Sequence, residues 1–292
     1  QQGISPLSGE ATGLLVPRSA GAGHYDRFRH RLMFAVVDLQ GRVVAFSGRA
    51  LPPMPGDEPK EKPAKYINSP ESPVYTKGNQ LFGLFQARAG IRAASSAVLV
   101  EGNFDVVSLH ARGIDHVVAP LGTAFTEDQA KLLKRFTGSV TFLFDGDFAG
   151  KKAARASRDP ARQAGLSVKV ATLPDGQDPD ELVRTRGAAA LDDLLRRAKG
   201  MLEYLLETEL DATFNALNAF EKAERVDRVV KLLAEEDDPL VRSMAKAYAD
   251  NLAARLDLAR TSPDALATLE QKVKRALAEE RRQIADQAAG DP

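Results

Sequence analysis

The 292-residue chain contains no cysteine and no tryptophan. The first absence excludes disulfides and any cysteine-built zinc site within this sequence. Histidine is scarce: His24, His30, His110 and His116 are the four, and none has the spacing of a His-x-x-x-His metal pair. Net charge is missing too. With 40 Lys and Arg against 40 Asp and Glu, the overall balance says nothing of a polyanionic partner. No apolar run approaches the roughly 18–20 residues that cross a bilayer, and no signal-peptide pattern is visible. The expectation is a soluble cytoplasmic protein with no membrane partner. The chain opens on Gln1 rather than Met, which reads as a piece of a longer protein. It is long enough for two or three compact units.

What is present is concentrated between Ala97 and Gly150. Two short apolar runs, Ala97–Val100 and Val140–Phe144, stop at Glu101-Gly102 and at Asp145-Gly146-Asp147. Their β-branched and aromatic content, bounded by Gly, reads as buried strands. A helical pattern follows each, so the alternation implies an α/β fold with a parallel sheet. Functional groups in such sheets collect outside the carboxyl ends of the strands, so Glu101, Asp145 and Asp147 are aimed at one place. A spacing of two lets both aspartates face one side of an extended chain, and Gly146 permits a sharp turn. Crowded carboxylates repel unless cations neutralise them, and hard divalent ions take oxygen ligands. The three acids therefore read as a Mg²⁺ site handling phosphates. Asp105, Asp178 and Asp180 are further candidates at the same edge, although Asp105 also reads as a solvated helix residue and Asp178 as a helix cap. Two cations held in this way would neutralise a triphosphate and orient a hydroxyl for attack on its α-phosphate.

The flanking chain reads as follows. Residues 1–24, rich in Gly, Ser, Pro and Ala, suggest a frayed or incomplete beginning. Residues 35–38 and 42–49 form a hairpin signal, and 52–63 an exposed loop. A helix is predicted over 81–89 and another over 104–112, then a strand over 116–119. Further helices are predicted from Thr126, over 149–163 and from Asp178, with a strand over 167–173. Residues 1–92 hold 12 basic and 7 acidic side chains. A positive section beside a carboxylate cluster suits a polyanion-plus-metal site; the plainer alternative is solvated surface. Past residue 188, Leu202, Leu205, Leu206 and Leu210, and then Val226, Val229, Val230 and Leu233, fall in stripes of helical period. Breaks are marked at 237–239 and 261–264, and the last helix runs to about Ile284. The expected division is a basic α+β part over 1–92, a metal-binding part over 93–187 and a helical part over 188–292.

Glu101-Gly102-Asn103-Phe104-Asp105, taken with Phe144-Asp145-Gly146-Asp147-Phe148-Ala149-Gly150, resembles the TOPRIM signature of primases, topoisomerases and related nucleases. Tyr25–Arg29, Ser47–Arg49, Lys65–Glu71, Lys77-Gly78, Leu121–Thr123 and Pro174–Asp180 are similar, in order, to the catalytic core of the DnaG-type bacterial replicative primases. The likeness runs from about residue 13 to 187, and more loosely to about 258. It implies a TOPRIM-type, Rossmann-like sheet preceded by a basic subdomain and followed by a helical bundle. It implies template-directed synthesis of short RNA from ribonucleoside triphosphates on single-stranded DNA, at a bacterial replication fork, with Mg²⁺ or Mn²⁺. By the same resemblance Glu101, Asp145 and Asp147 are catalytic, and with Asp105, Asp178 and Asp180 they hold the metals. Arg27, Arg29, Arg49, Lys65, Asn68 and Lys77 would contact nucleotide phosphates or the RNA–DNA hybrid. A replicative helicase is the expected partner, through regions largely outside this sequence. The family's zinc ribbon cannot lie here, and the front of the core is short.

The sequence departs from the family pattern at Asn103-Phe104, where Tyr and Met are usual, at Ala35 for Pro and at Ser47 for Gly. None removes a charge, so altered packing rather than lost chemistry is expected. Two other readings stand beside this one. A topoisomerase or nuclease would share the TOPRIM unit, but Tyr25, Tyr66, Tyr75, Tyr204 and Tyr248 lie in a chain too short for a DNA-encircling domain. The other is a nucleic-acid-binding fragment without catalysis.

Overall fold

The computed structural model describes residues 3–53, 63–122, 124–144, 148–174, 177–236 and 238–290. The chain divides into two units after Ala198, and the sections 1–92 and 93–187 both fall in the first.

The opening of the chain is ordered, which corrects the expectation of a frayed start. Helix α1 (Pro6–Ala11) is capped by the Ser5 hydroxyl, which accepts from the Ser8 amide at 3.1 Å. Pro6 takes the first helical position, where its missing N–H costs nothing. Strands β1 (Leu15–Pro17) and β2 (His24–Asp26) pair antiparallel. Gly13 turns the chain at φ +71°, and a Cβ there would lie 2.3 Å from the Pro70 ring. The small polar residues thus serve caps and a close approach, not disorder.

Strands β3 (Arg31–Val37) and β4 (Val43–Ala50) form the expected hairpin, beginning four residues earlier than the apolar pattern, and β5 (Tyr66–Asn68) joins β4 antiparallel. Period-two alternation turns Phe34 and Val36 inward and leaves Met33 and Ala35 outward. Helix α2 (Leu84–Ala94) starts later than the pattern from residue 81 indicates. Phe82 is held in a bridge to Ala119, and Gly83, at φ +81°, packs so tightly that a Cβ would lie 2.6 Å from Val106.

Then come β6 (Ala97–Leu99), α3 (Asn103–Ala111), β7 (Val117–Val118), α4 (Glu127–Lys134), β8 (Ser139–Phe144), α5 (Phe148–Gln163), β9 (Ser167–Thr172), α6 (Pro179–Arg186) and α7 (Ala188–Arg196). The strands are parallel in the order β9-β8-β6-β7. The chain leaves β6 for β7 on one side and resumes at β8 on the other. The carboxyl ends of β6 and β8 therefore border the topological switch point, where ligands of such sheets bind. Phe34, Val36 and Ala45 from the hairpin share a core with Phe82, Val98, Val117 and Leu121.

The second unit is helical: α8 (Met201–Glu209), α9 (Ala219–Ala234), α10 (Pro239–Arg255), α11 (Leu258–Thr261) and α12 (Pro263–Gly290). The predicted stripes meet in its core, with Leu206, Phe214, Val229, Leu233 and Leu252 buried together. Asn218 and Asp238 cap α9 and α10. The last helix continues past Ile284 to Gly290. Among the described residues no helix is long and apolar enough to cross a membrane.

Candidate active site

Glu101 follows β6, two residues after Leu99, and Asp145 follows Phe144, the last residue of β8. Asp145, Gly146 and Asp147 lie outside the described residues, as do Thr123, Asp175 and Gly176. Among the described residues no group of three or more His, Asp or Glu is arranged to hold a metal ion. Glu101 is exposed at the switch point, beside the start of α3. Gly102 caps that helix, and a Cβ on it would lie 2.6 Å from Asp105 Oδ2. At φ −113° the glycine does not serve a left-handed turn; the space it leaves is taken by the end of the Asp105 side chain. It lets the Asp105 carboxylate fold back over the first turn, where the helix dipole favours a negative charge.

Arg49 of β4 meets this same helix turn. Its guanidinium lies 4.9 Å from the centre of the Phe104 ring and 5.8 Å from that of Tyr66, its cross-strand partner. Stacking of this kind contributes about 0.5–2 kcal/mol, more as water is excluded. Burial lifts the Tyr66 hydroxyl above the usual tyrosine range, Arg49 opposes the rise, and the charge of Asp105 adds to it. Arg49, Tyr66, Phe104 and Asp105 thus form one cluster. Phe104, one of the departures from the family pattern, supplies the ring on which this arginine stacks.

Asn68 faces inward from β5. Its amide nitrogen donates to the Leu121 carbonyl at 3.1 Å, linking the basic section to the Leu121-Gly122 turn. Its Oδ1 and the hydroxyl of Ser47, directly opposite in register, are buried without a hydrogen-bond partner among the described residues. Gly48 admits no side chain: a Cβ would lie 2.9 Å from Phe28.

Lys77 sits in a single 3₁₀ turn (Lys77–Asn79) fastened from α4. The Thr126 hydroxyl donates to the Gly78 carbonyl at 2.5 Å. Gln129, fully buried, donates to the carbonyls of Lys77 at 3.1 Å and Gln80 at 2.8 Å. The same two residues complete the capping box that starts α4. Lys65 is exposed and forms no ion pair among the described residues. Arg27 donates through Nε to the Gly13 carbonyl at 2.7 Å, and Arg29 stacks 4.7 Å from the Tyr25 ring.

Asp178 and Asp180 behave differently, although one residue separates them. Asp178 is the N-cap of α6, accepting from the Glu181 amide at 2.7 Å, as its sequence context suggested. Asp180 is ion-paired to Arg112 at 2.9 Å and accepts a hydrogen bond from the Ser108 hydroxyl.

Sequence reasoning missed Tyr66, Gln129 and Arg112. Phe104 carried a signal as a departure from the pattern around it, and Gln129 as the fourth residue of a Thr-x-x-Gln capping-box pattern. The long-range contacts were not legible: Tyr66 meets Arg49 across 17 positions, Gln129 reaches Lys77 across 52 and Arg112 meets Asp180 across 68.

Comparisons with known proteins agree on one family. The description "DNA primase catalytic core, N-terminal domain" matches residues 1–88, and "Toprim-like" matches residues 98–183. A DNA primase of Synechococcus elongatus is 41% identical over 274 residues, covering 91% of this chain and 38% of the relative. The RNA polymerase domain of Mycobacterium tuberculosis primase DnaG superposes with a TM-score of 0.72 at 32% identity, covering 87% of this chain and 79% of that one. A DnaG primase catalytic domain bound to single-stranded DNA gives 0.71 at 33% identity, over 85% of this chain and 79% of that one. The chain spans about two fifths of the length of the curated relatives it matches first.

Proposed function

The chain belongs to the DnaG-type bacterial DNA primase family, as part of its catalytic core, and from that premise we propose that it makes short RNA primers on single-stranded DNA. The substrates in this reading are ribonucleoside triphosphates, and the product is held as an RNA–DNA hybrid. The observation that supports it most is the seating of Arg49 on Phe104, beside Asp105 and the strand end that carries Glu101. A cation of the β4 sheet face then meets the helix turn that follows Glu101, which suits a polyanion gripped between fixed positive groups and divalent ions. The division into a basic part over 1–92 and a metal-binding part over 93–187 belongs to the same proposal.

The donor set fits a hard divalent ion, because Glu101, Asp145, Asp147, Asp105 and Asp178 offer only carboxylate oxygens. These residues would hold Mg²⁺ or Mn²⁺, which when bound neutralises phosphate charge. The chain's own side chains supply the rest by position. Lys77, on its fastened turn, and Arg49, on its aromatic shelf, contact the triphosphate oxygens. Lys65, Arg27 and Arg29 follow the strand backbone, and Asn68 keeps the basic sheet in register with the Leu121-Gly122 turn. The 3′-hydroxyl of one ribonucleotide then attacks the α-phosphorus of the next. A new P–O bond forms, the bond to pyrophosphate breaks, and the hydroxyl proton leaves to solvent. Charge and alignment lower the barrier, with no covalent enzyme intermediate required. In the cell the protein would act in the cytoplasm at the replication fork, beside the replicative helicase.

The test is incorporation of labelled ribonucleotides on single-stranded and on double-stranded templates, run beside a plasmid-nicking assay. Template-dependent RNA without nicking supports the primase reading. Nicking without RNA would favour a nuclease or topoisomerase.

A further inference from the structure

Six acids follow the strands of the sheet in the sequence, and the resemblance groups all six as metal holders. The surroundings of Asp180 separate it from the others. Arg112, the C-cap of α3, sends one guanidinium nitrogen to Asp180 Oδ1 at 2.9 Å and the other to the Ser108 carbonyl at 3.0 Å. The Ser108 hydroxyl donates to the same carboxylate oxygen, and Ser108 is buried. The side chains of Arg112 and Asp180 are 33% and 22% exposed, so water screens the pair only in part. Asp180 also sits in the first turn of α6, and Arg112 at the end of α3, the two positions where helix dipoles favour their charges. A divalent ion that recruited Asp180 would have to displace the guanidinium, or stand beside it against like-charge repulsion. Asp178, by contrast, is engaged through Oδ1 with a backbone amide and forms no ion pair among the described residues.

We infer that Asp180 is not a metal ligand in this protein but a positioning residue. Arg112 and Ser108 hold it on α3, and so fix α6 and the Asp178 cap beside the acidic edge. This rests on the reading that the edge binds a divalent ion. Arg112 is then an internal counter-cation, and it reduces the number of acids available to metal.

The experiment is a Mn²⁺ titration by electron paramagnetic resonance on the 292-residue chain, comparing wild type with Asp180→Asn, Arg112→Leu, the double variant and Asp145→Asn. Asp145→Asn is expected to weaken Mn²⁺ binding at least about tenfold, the scale of losing a metal-supporting group. Asp180→Asn should keep the wild-type stoichiometry, with affinity changed less than about threefold. Arg112→Leu should tighten Mn²⁺ binding or add an ion, and the double variant should remove that gain. A loss in Asp180→Asn as large as in Asp145→Asn, or no gain in Arg112→Leu, would overturn the assignment. Wild type and Asp145→Asn binding alike would count against the metal reading instead. Amide exchange along α6 then decides the positioning role without any ion. Faster exchange at Leu182 and Val183 in both Asp180→Asn and Arg112→Leu supports it, and unchanged exchange overturns it. Should Arg112→Leu not fold, Asp180→Asn carries both readouts.

Discussion

Replacing Gln129 with leucine keeps the volume of a fully buried side chain and removes its amide. Three hydrogen bonds go with it: to the carbonyls of Lys77 and Gln80, and from the Thr126 amide to Gln129 Oε1 at 3.0 Å. Each is worth about 0.5–1.5 kcal/mol net, and more where the partner stays buried, so the loss is roughly 2–4 kcal/mol. The effect should be local, since the core beneath is untouched and the turn can open by itself. The amides of Asn79 and Gln80, which close the turn onto Thr76 and Lys77 at 3.1 and 3.3 Å, report it directly. At about 1.4 kcal/mol per decade, their hydrogen exchange should quicken by roughly 30-fold to somewhat under 1,000-fold. Because the same turn carries Lys77, the KM for ribonucleotides should rise while the far-ultraviolet spectrum stays unchanged. A folded variant whose Asn79 and Gln80 amides exchange as in wild type would refute the role given to Gln129.

Three further outcomes follow from named contacts. Lys65→Ala should weaken single-stranded DNA binding about equally on all sequences and reduce the magnitude of its log–log salt slope by about one, measured by fluorescence anisotropy; an unchanged slope would remove Lys65 from the phosphate contacts. Phe104→Ala should take away the shelf under Arg49 and lower nucleotide affinity by the equivalent of about 0.5–2 kcal/mol, with little effect in an Arg49→Ala background. Burial holds His116 below its ordinary value of 6.5 in spite of Asp115 and Asp192. As pH falls through 6.5 the unfolded chain therefore takes up the proton first, and stability drops until the folded histidine is protonated too. Urea midpoints at pH 7.5 and 5.5 should differ more for wild type than for His116→Gln.

Much of the fold was written in local pattern. The hairpin of β3 and β4, the parallel strands, the Thr126 cap and the Asp178 cap were all signalled by residues within a few positions; the two caps fall on the residues the pattern gives, while β3 begins four residues earlier and β6 and β7 are shorter than their apolar runs. Element starts were less legible. The onset of α2 at Leu84 depends on Gly83 pressing against Val106 and Val117, which no window around residue 83 contains. The order at residues 5–26 was hidden because glycine and serine look alike whether they fray a chain or cap it. In the site, the acids were legible as types and strand-end positions, but what differentiates them is tertiary. Asp180 is set apart from Asp178 by Arg112, 68 positions earlier, and Arg49 gains its shelf from Phe104, 55 positions later.

The central claim is that one acidic edge and one basic face make a single polymerising site. The most direct test is primer synthesis on single-stranded template with labelled ribonucleotides, with and without Mn²⁺, for wild type and Asp145→Ala. The account predicts short RNA from the wild type only in the presence of the ion, and none from a variant that still folds and still binds DNA. Equal synthesis by both proteins would contradict it.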